Sequence, residues 1–347
     1  MTPRRVMLVY LLLAAPLFAT QTGVPPYVSN PVAGQVVQRD TTTADIPISG
    51  ALPEGTWSVE AQFNGGGYST IATSVSGTFS GTLSAQTVAE GTLNVRLVGT
   101  SDVTNIANVA LGEVLIVAGQ SNASGFVTNN QTYSGTARGS LFSNDYVWEA
   151  LTDPTDDPDG QLDRISADAV GQGGKGSVWP LLANEIESNE GVAVAIVPSA
   201  LGGTRISAWQ QGSPALHRGH LYGSMAFRAN RTGGRVVLWW QGENDALVGL
   251  SRASYNALLD SLANDIQSDL GLKLMAAKLQ NSSSITDANE ALINGAIGDA
   301  WSDNANVLAG PDLSDLASDD GFHITGDAKA QTVAERWYTA LATAFSW

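Results

Sequence analysis

The chain holds three histidines and no cysteine. Nucleophilic chemistry near neutral pH must therefore pair a hydroxyl with His217, His220 or His323. His323 stands in Asp319-Asp320-Gly321-Phe322-His323. An acid three residues ahead, with glycine between, can fold back on the imidazole Nδ1, fix the tautomer and stabilise the imidazolium. The candidate hydroxyl is Ser121, in Gly119-Gln120-Ser121-Asn122 at the end of an apolar run. No G-x-S-x-G occurs, and Ala123 stands where the second glycine would be, which argues against an α/β-hydrolase elbow. Two other loops carry unusual residues. Gly202-Gly203, before Thr204 and Arg205, can present backbone N–H groups to a developing oxyanion. In Trp239-Trp240-Gln241-Gly242-Glu243-Asn244-Asp245, the Gln241 amide can donate to the same oxyanion, Glu243 can orient His323 or organise the loop, and the indoles can stack on sugar rings. The pair in His217-Arg218-Gly219-His220 lacks a nearby carboxylate, and Gly219 spoils a helical face. It reads as structural or substrate-lining, and no metal is expected there.

These loops need a scaffold. Apolar runs at Glu113–Ala118, Val192–Pro198, Val236–Trp240, Lys273–Leu279 and Val307–Ala309 alternate with helical patterns at Leu181–Ser188, Arg252–Asp269, Asp287–Trp301 and Asp327–Phe345. Such interleaving predicts a parallel sheet covered on both faces. Ligands of such sheets bind outside the carboxyl ends of the strands, which is where the three loops fall. Residues 23–108 differ in texture. Short alternating segments (Asp45–Ser49, Trp57–Phe63, Thr92–Val98) between turn-forming glycines predict a small antiparallel β-sandwich, with no ionisable cluster, suited to packing or carbohydrate binding. Residues 109–347 form the second domain.

At the N-terminus, Arg4 and Arg5 precede an apolar run from Val6 to Ala19, which predicts a secretory signal peptide over 1–19 and an exported mature protein, periplasmic or secreted. The absence of cysteine excludes disulfides and thiolate metal sites. The formal charge of −16 over 347 residues makes nucleic acid and anionic membranes poor partners. An acid-rich stretch, with Asp153, Asp156, Asp157, Asp159 and Asp163, does not fit the EF-hand spacing and reads as a solvated loop rather than a calcium site.

Taken in order, GQSN at 119–122, GGTRISAW at 202–209, WWQGEND at 239–245 and DDGFH at 319–323 resemble the SGNH-hydrolase superfamily, in its sialate O-acetylesterase-like and acetylxylan-esterase-like branch. The resemblance covers about 110–347. It implies a flavodoxin-like three-layer α/β/α fold and a serine esterase that removes O-acetyl groups from a carbohydrate without a cofactor. Ser121 is then the nucleophile, His323 the base and Asp320 the acid, although some relatives place the acid at the position of Glu243. The oxyanion hole falls to the Ser121 N–H, Gly202 or Gly203, and Gln241. Asn122 and Glu243 are supporting residues. For such an esterase Arg205 and Trp209 read equally as substrate contacts or as a salt-bridging arginine and a core tryptophan. Val36–Asp40 and the β-rich segment after it are similar, more loosely, to the N-terminal β-domain of sialate O-acetylesterase relatives. Ala123 departs from the methionine frequent after GQSN and alters the pocket wall. Two other classes of protein remain: a non-catalytic carbohydrate binder, which would have lost Ser121 or His323, and a lipase or general acyl esterase, which would want an apolar lid.

Overall fold

The computed structural model describes residues 24–158, 161–162, 175–212 and 217–347. The expected signal peptide, and Asp159 and Asp163 of the acidic stretch, lie outside the described residues.

The N-terminal part is entirely strand. It comprises β1 (Tyr27–Asn30), β2 (Val36–Gln38), β3 (Thr43–Ala51), β4 (Trp57–Phe63), β5 (Ser69–Val75), β6 (Thr78–Thr87), β7 (Glu90–Leu97) and β8 (Val103–Gly119). Strands β1, β3 and β6 make a three-stranded antiparallel sheet, while β4 pairs with β5 and β7, and β7 with the first half of β8. Alternation places Ile46, Ile48, Phe79 and Leu83 of one layer against Val59, Ala61, Leu93 and Val95 of the other, in one buried cluster.

Strand β8 then changes character. Its first residues are mostly exposed or half-buried, with Ile106 alone buried, but Val109 to Gly119 is buried throughout. From Gly112 onward it pairs in parallel with the strands on either side. A single 17-residue strand therefore runs through position 108, with Asn108 itself in the left-handed region (φ +57°) where the half-exposed part meets the fully buried one.

The remaining elements are α1 (Ser121–Ser124), β9 (Gly139–Phe142), β10 (Trp148–Ala150), α2 (Trp179–Glu190), β11 (Ala193–Pro198), α3 (Leu221–Thr232), β12 (Val236–Trp240), α4 (Glu243–Leu247), α5 (Arg252–Leu270), β13 (Leu274–Lys278), α6 (Asp287–Asp303), β14 (Val307–Asp312) and α7 (Asp327–Phe345), with a 3₁₀ turn at Ile206–Trp209. The large sheet runs β10-β9-β11-β8-β12-β13-β14, parallel except for the β10 edge. Helices α2 and α7 pack together, with Trp179 and Trp337 6.0 Å apart, and α5 packs against both α3 and α6. Two elements escaped the sequence patterns. Helix α3 carries Gly223, a poor helix former, which is required because a Cβ there would lie 2.1 Å from the His217 carbonyl oxygen. The β9–β10 hairpin is too short to show a period.

Strand β8 is central. The chain leaves it for β11 on one side and later returns to β12 on the other. The crevice at that reversal is where open parallel sheets bind ligands. At the opposite end of β8, the fully buried Glu113 carboxylate accepts from Arg39 Nε (2.6 Å), Gln38 Nε2 (3.0 Å) and Arg235 Nε and Nη2 (2.9 Å each). This clamps the segment after β2 to the start of β12.

Candidate active site

Gly119 ends β8 with φ +136°, and a Cβ there would sit 2.2 Å from the Trp240 carbonyl oxygen. Only glycine turns the chain so tightly against β12, and the turn delivers Ser121 to the crevice. Ser121 Oγ lies 2.9 Å from His323 Nε2, and His323 Nδ1 lies 2.8 Å from Asp320 Oδ2. The other oxygen of Asp320 accepts the N–H groups of Phe322 (3.0 Å) and His323 (2.7 Å). Partial burial of Asp320 favours its neutral form, but the hydrogen bonds from the His323 ring and these two N–H groups outweigh it, holding the carboxyl below its ordinary range. The acid thus stays ionised, as an imidazolium partner must. Phe126 stacks on the imidazole, with ring centroids 3.8 Å apart and planes within 16°.

Beneath this relay lies a buried amide network. Asn122 grips the peptide groups on both sides of His323. Its Nδ2 donates to the Phe322 carbonyl (3.2 Å), and its Oδ1 accepts from Ile324 N (3.1 Å). Gln280 Nε2 donates to the same Phe322 carbonyl at 2.6 Å. Glu243 Oε1 accepts from both amides, at 2.7 Å from Asn122 and 3.2 Å from Gln280. Glu243 is only 2% exposed, and its Oε2 is buried without a hydrogen-bond partner. Burial pushes this carboxyl up against the opposing pull of those amides. Asp320, not Glu243, therefore adjoins the imidazole, and Glu243 braces the loop that carries it.

Gly202 and Gly203 line the pocket with Ser121, and the N–H groups of Ser121 and Gly203 meet no acceptor among the described residues. The structure corrects the expectation for Gln241. Its Nε2 is committed to Asp245 Oδ2 (2.6 Å), the Thr204 carbonyl (2.9 Å) and Gln120 Oε1 (3.1 Å), and the residue is fully buried. No amide hydrogen remains for an oxyanion. The cause is Asp245, buried four residues on, which also accepts from Ile206 N at 2.9 Å and so ties this loop to the one after β11. Asn244 lines the pocket instead, its Nδ2 donating to the Gly203 carbonyl.

The pocket has a volume of about 370 Å³. Its aromatic walls are Phe126 and Phe322, with Leu247, half exposed, at the rim. The tryptophans do not contribute. Trp239 and Trp240 are buried in β12, and Trp209 is fully buried, edge-on to Trp239 at 5.2 Å, with its N–H on Thr204 Oγ1. A substrate contact for Trp209, and sugar stacking on the β12 indoles, are thereby corrected: Trp209 ends the 3₁₀ turn packed edge-on against Trp239, and a strand covered on both faces buries side chains of both parities, as in Trp239 and Trp240. Arg205 is exposed and outside the pocket lining. His217 and His220 are exposed neighbours, ring centroids 5.4 Å apart. Among the described residues no group of three potential metal ligands occurs. Asp153 is a loop anchor, accepting from Gln131 N, Ser177 N and Ser177 Oγ, and Asp156 accepts from Asn144 Nδ2. Phe126 and Gln280 gave no chemical signal in the sequence, since apolar and amide side chains at unremarkable spacing fit any loop; Asp245 and Phe322 stand inside the WWQGEND and DDGFH strings, but nothing there indicates their roles.

Comparison with known proteins bears on the fold and the family. The chain is 30% identical to a probable carbohydrate esterase of Arabidopsis thaliana over 187 residues, 46% of this chain and 65% of that protein. The match thus spans just under two thirds of the relative's length. In fold it is similar to a carbohydrate acetylesterase of Xanthomonas citri (TM-score 0.63, 18% identity, 92% of this chain and 74% of the other). It is also similar to a second solved structure, from Arabidopsis thaliana (TM-score 0.53, 22% identity, 68% and 98%). The profile of the family described as carbohydrate esterase, sialic acid-specific acetylesterase, matches residues 112–342. With more than half its length so matched, the chain belongs to that carbohydrate esterase family.

Proposed function

We propose that the protein is an exported serine esterase that removes O-acetyl groups from a carbohydrate through an acetyl-enzyme on Ser121. The observation that carries this reading is the continuous relay Ser121–His323–Asp320 at 2.9 and 2.8 Å in the wall of a pocket. Ser121 Oγ attacks the acetyl carbonyl as its proton passes to His323 Nε2, while Asp320 holds Nδ1–H and stabilises the imidazolium. The oxyanion is met by the N–H groups of Ser121 and of the Gly202–Gly203 turn, placed before charge develops. On collapse His323 returns the proton to the departing sugar hydroxyl. A water then gives its proton to His323, attacks the acetyl-serine, and acetate leaves with Ser121 Oγ reprotonated. Every proton and electron pair is accounted for by these residues and one water.

Family membership supports a carbohydrate ester as the substrate class. Acetate release from a panel of O-acetylated glycans, by the native protein and Ser121→Ala, tests the reading. Release by the former alone supports it. Cleavage of p-nitrophenyl acetate without release from any glycan would keep the serine chemistry and remove the sugar. Export rests only on the Arg4-Arg5 and Val6–Ala19 pattern, and N-terminal sequencing of the secreted protein checks it.

A further inference from the structure

A second cavity, of about 950 Å³, lies between the N-terminal strands and the β9–β10 hairpin, and it shares no lining residue with the catalytic pocket. Its walls come from β1, β2 and β3 on one side and from the hairpin and the end of α3 on the other. It is more than twice as large as the pocket at Ser121, and falls at the upper end of the range for small-ligand sites, roughly 300–1,000 Å³.

Three features distinguish this cleft from an imperfectly filled seam. The first is Trp148. Its ring is only partly buried, and its indole N–H meets no acceptor among the described residues, whereas a Trp N–H inside a packed junction normally finds one. The second is that Val32 and Val147, both lining residues, are 40% and 51% exposed, so apolar surface stays open on both walls. The third is polar and electrically balanced. The exposed side chains of Asn230 and Arg231 are left to solvent, and among the described lining residues Asp45, also exposed, is the only acid and Arg231 the only base. On a chain of net charge −16, this is a neutral patch offering an aromatic face, amide and guanidinium donors, and carboxylate and amide acceptors.

That combination fits a neutral polysaccharide: a pyranose face stacks on an indole, and its hydroxyls both donate and accept. An anionic polymer would meet a single cation against the field of an acidic protein, and an apolar peptide would leave Asn230 and Arg231 buried without partners.

We propose that this cleft is a non-catalytic binding site for a neutral polysaccharide chain, with Trp148 as its stacking platform. The proposal rests on the carbohydrate reading of the catalytic site. It gives the N-terminal strands a part in function: holding the polymer raises the local concentration of its acetyl esters at Ser121.

The test separates binding from turnover. Native protein, Trp148→Ala and Asn230→Trp, which fills the cleft, are run through native gels containing deacetylated xylan, galactomannan or hydroxyethylcellulose. All three proteins are also assayed on p-nitrophenyl acetate and by gel filtration. Retardation of the native protein by at least one polymer, cut about tenfold or more in both variants with p-nitrophenyl acetate rates within twofold, is the expected result. Equal retardation of native protein and variants overturns the proposal, as does no retardation by any of the polymers. A native dimer that Trp148→Ala converts to monomer also overturns it, because a second copy would then be the occupant. Since the polymers carry no ester, loss of the esterase reading would appear separately, as failure on p-nitrophenyl acetate.

Discussion

Substitution of Glu243 distinguishes a brace from a member of the proton relay. The carboxyl accepts two amide hydrogens at Oε1 and leaves Oε2 buried without a partner. No cation lies within ion-pair distance among the described residues, and burial pushes the group up against the amides' opposing pull. Glu243→Gln keeps Oε1 and exchanges one unpartnered polar atom for another. The change in stability is therefore small, about 1 kcal/mol or less, set by the difference between two unsatisfied groups that each cost roughly 1–3 kcal/mol. Because the Asn122 and Gln280 amides stay in place, kcat falls by no more than about tenfold, equivalent to about 1.4 kcal/mol. Glu243→Ala removes both acceptor contacts and opens a cavity. Two lost buried hydrogen bonds at roughly 1–3 kcal/mol each predict a loss of about 2–6 kcal/mol. Urea unfolding of both variants, with kcat and KM on p-nitrophenyl acetate, makes the measurement. If Glu243→Gln lost about a thousandfold or more in kcat with its stability intact, the carboxylate charge would be needed and the bracing account would fail.

Asp320→Asn is expected to fold normally and to lose about 10³–10⁴ in kcat, since an amide cannot stabilise the imidazolium; near-native turnover would remove Asp320 from the relay. Gln241→Ala takes the side-chain donor from the buried Asp245 carboxyl and leaves it the backbone donor Ile206 N, so its main effect is a loss of stability of roughly 1–3 kcal/mol rather than of transition-state binding, and an unchanged unfolding midpoint with kcat down a hundredfold would restore Gln241 to the oxyanion hole. Glu113→Ala leaves Arg39 and Arg235 without their shared buried partner and destabilises the fold by about 3–5 kcal/mol, while activity per folded molecule stays native. The pH dependence of stability has two signs. Asp320 sits below its ordinary range when folded, so its contribution is present above the unfolded value and lost as pH falls through the folded one. Glu243 sits above its range, so its contribution is greatest in acid and lost as pH rises from the ordinary carboxylate value through the folded one. Native and Glu243→Gln stability curves should therefore diverge on the alkaline side, and parallel curves would contradict this.

What the sequence made legible followed from residue type. A base and an acid three residues apart, and a serine after an apolar run, can be read because few side chains do that chemistry. Strand β12 and helix α7 begin and end where the patterns place them, because continuous burial and amphipathic repeats leave clear marks. Side-chain direction leaves none. Gln241 is of a type that can meet an oxyanion, but Asp245 captures its amide, and that contact depends on how the loop after β12 turns back on itself. Trp209, Trp239 and Trp240 fitted both a sugar platform and the core, and all three are core, because residue type alone does not announce which indoles of a strand or turn are exposed. Phe126 is the converse: nothing in its neighbours indicates that it stacks on His323, from an element 197 positions distant in the chain, as Phe126 and His323 number it.

The most direct measurement is covalent capture of the nucleophile. The native protein is treated with an organophosphonate ester, its peptides are mapped by mass spectrometry, and acetate release from an acetylated glycan is followed in parallel. A single adduct on Ser121, formed as acetate release disappears, and no adduct with Ser121→Ala or His323→Ala, is the predicted result. Labelling at another residue with activity lost, or acetate release by Ser121→Ala at the native rate, would contradict the account.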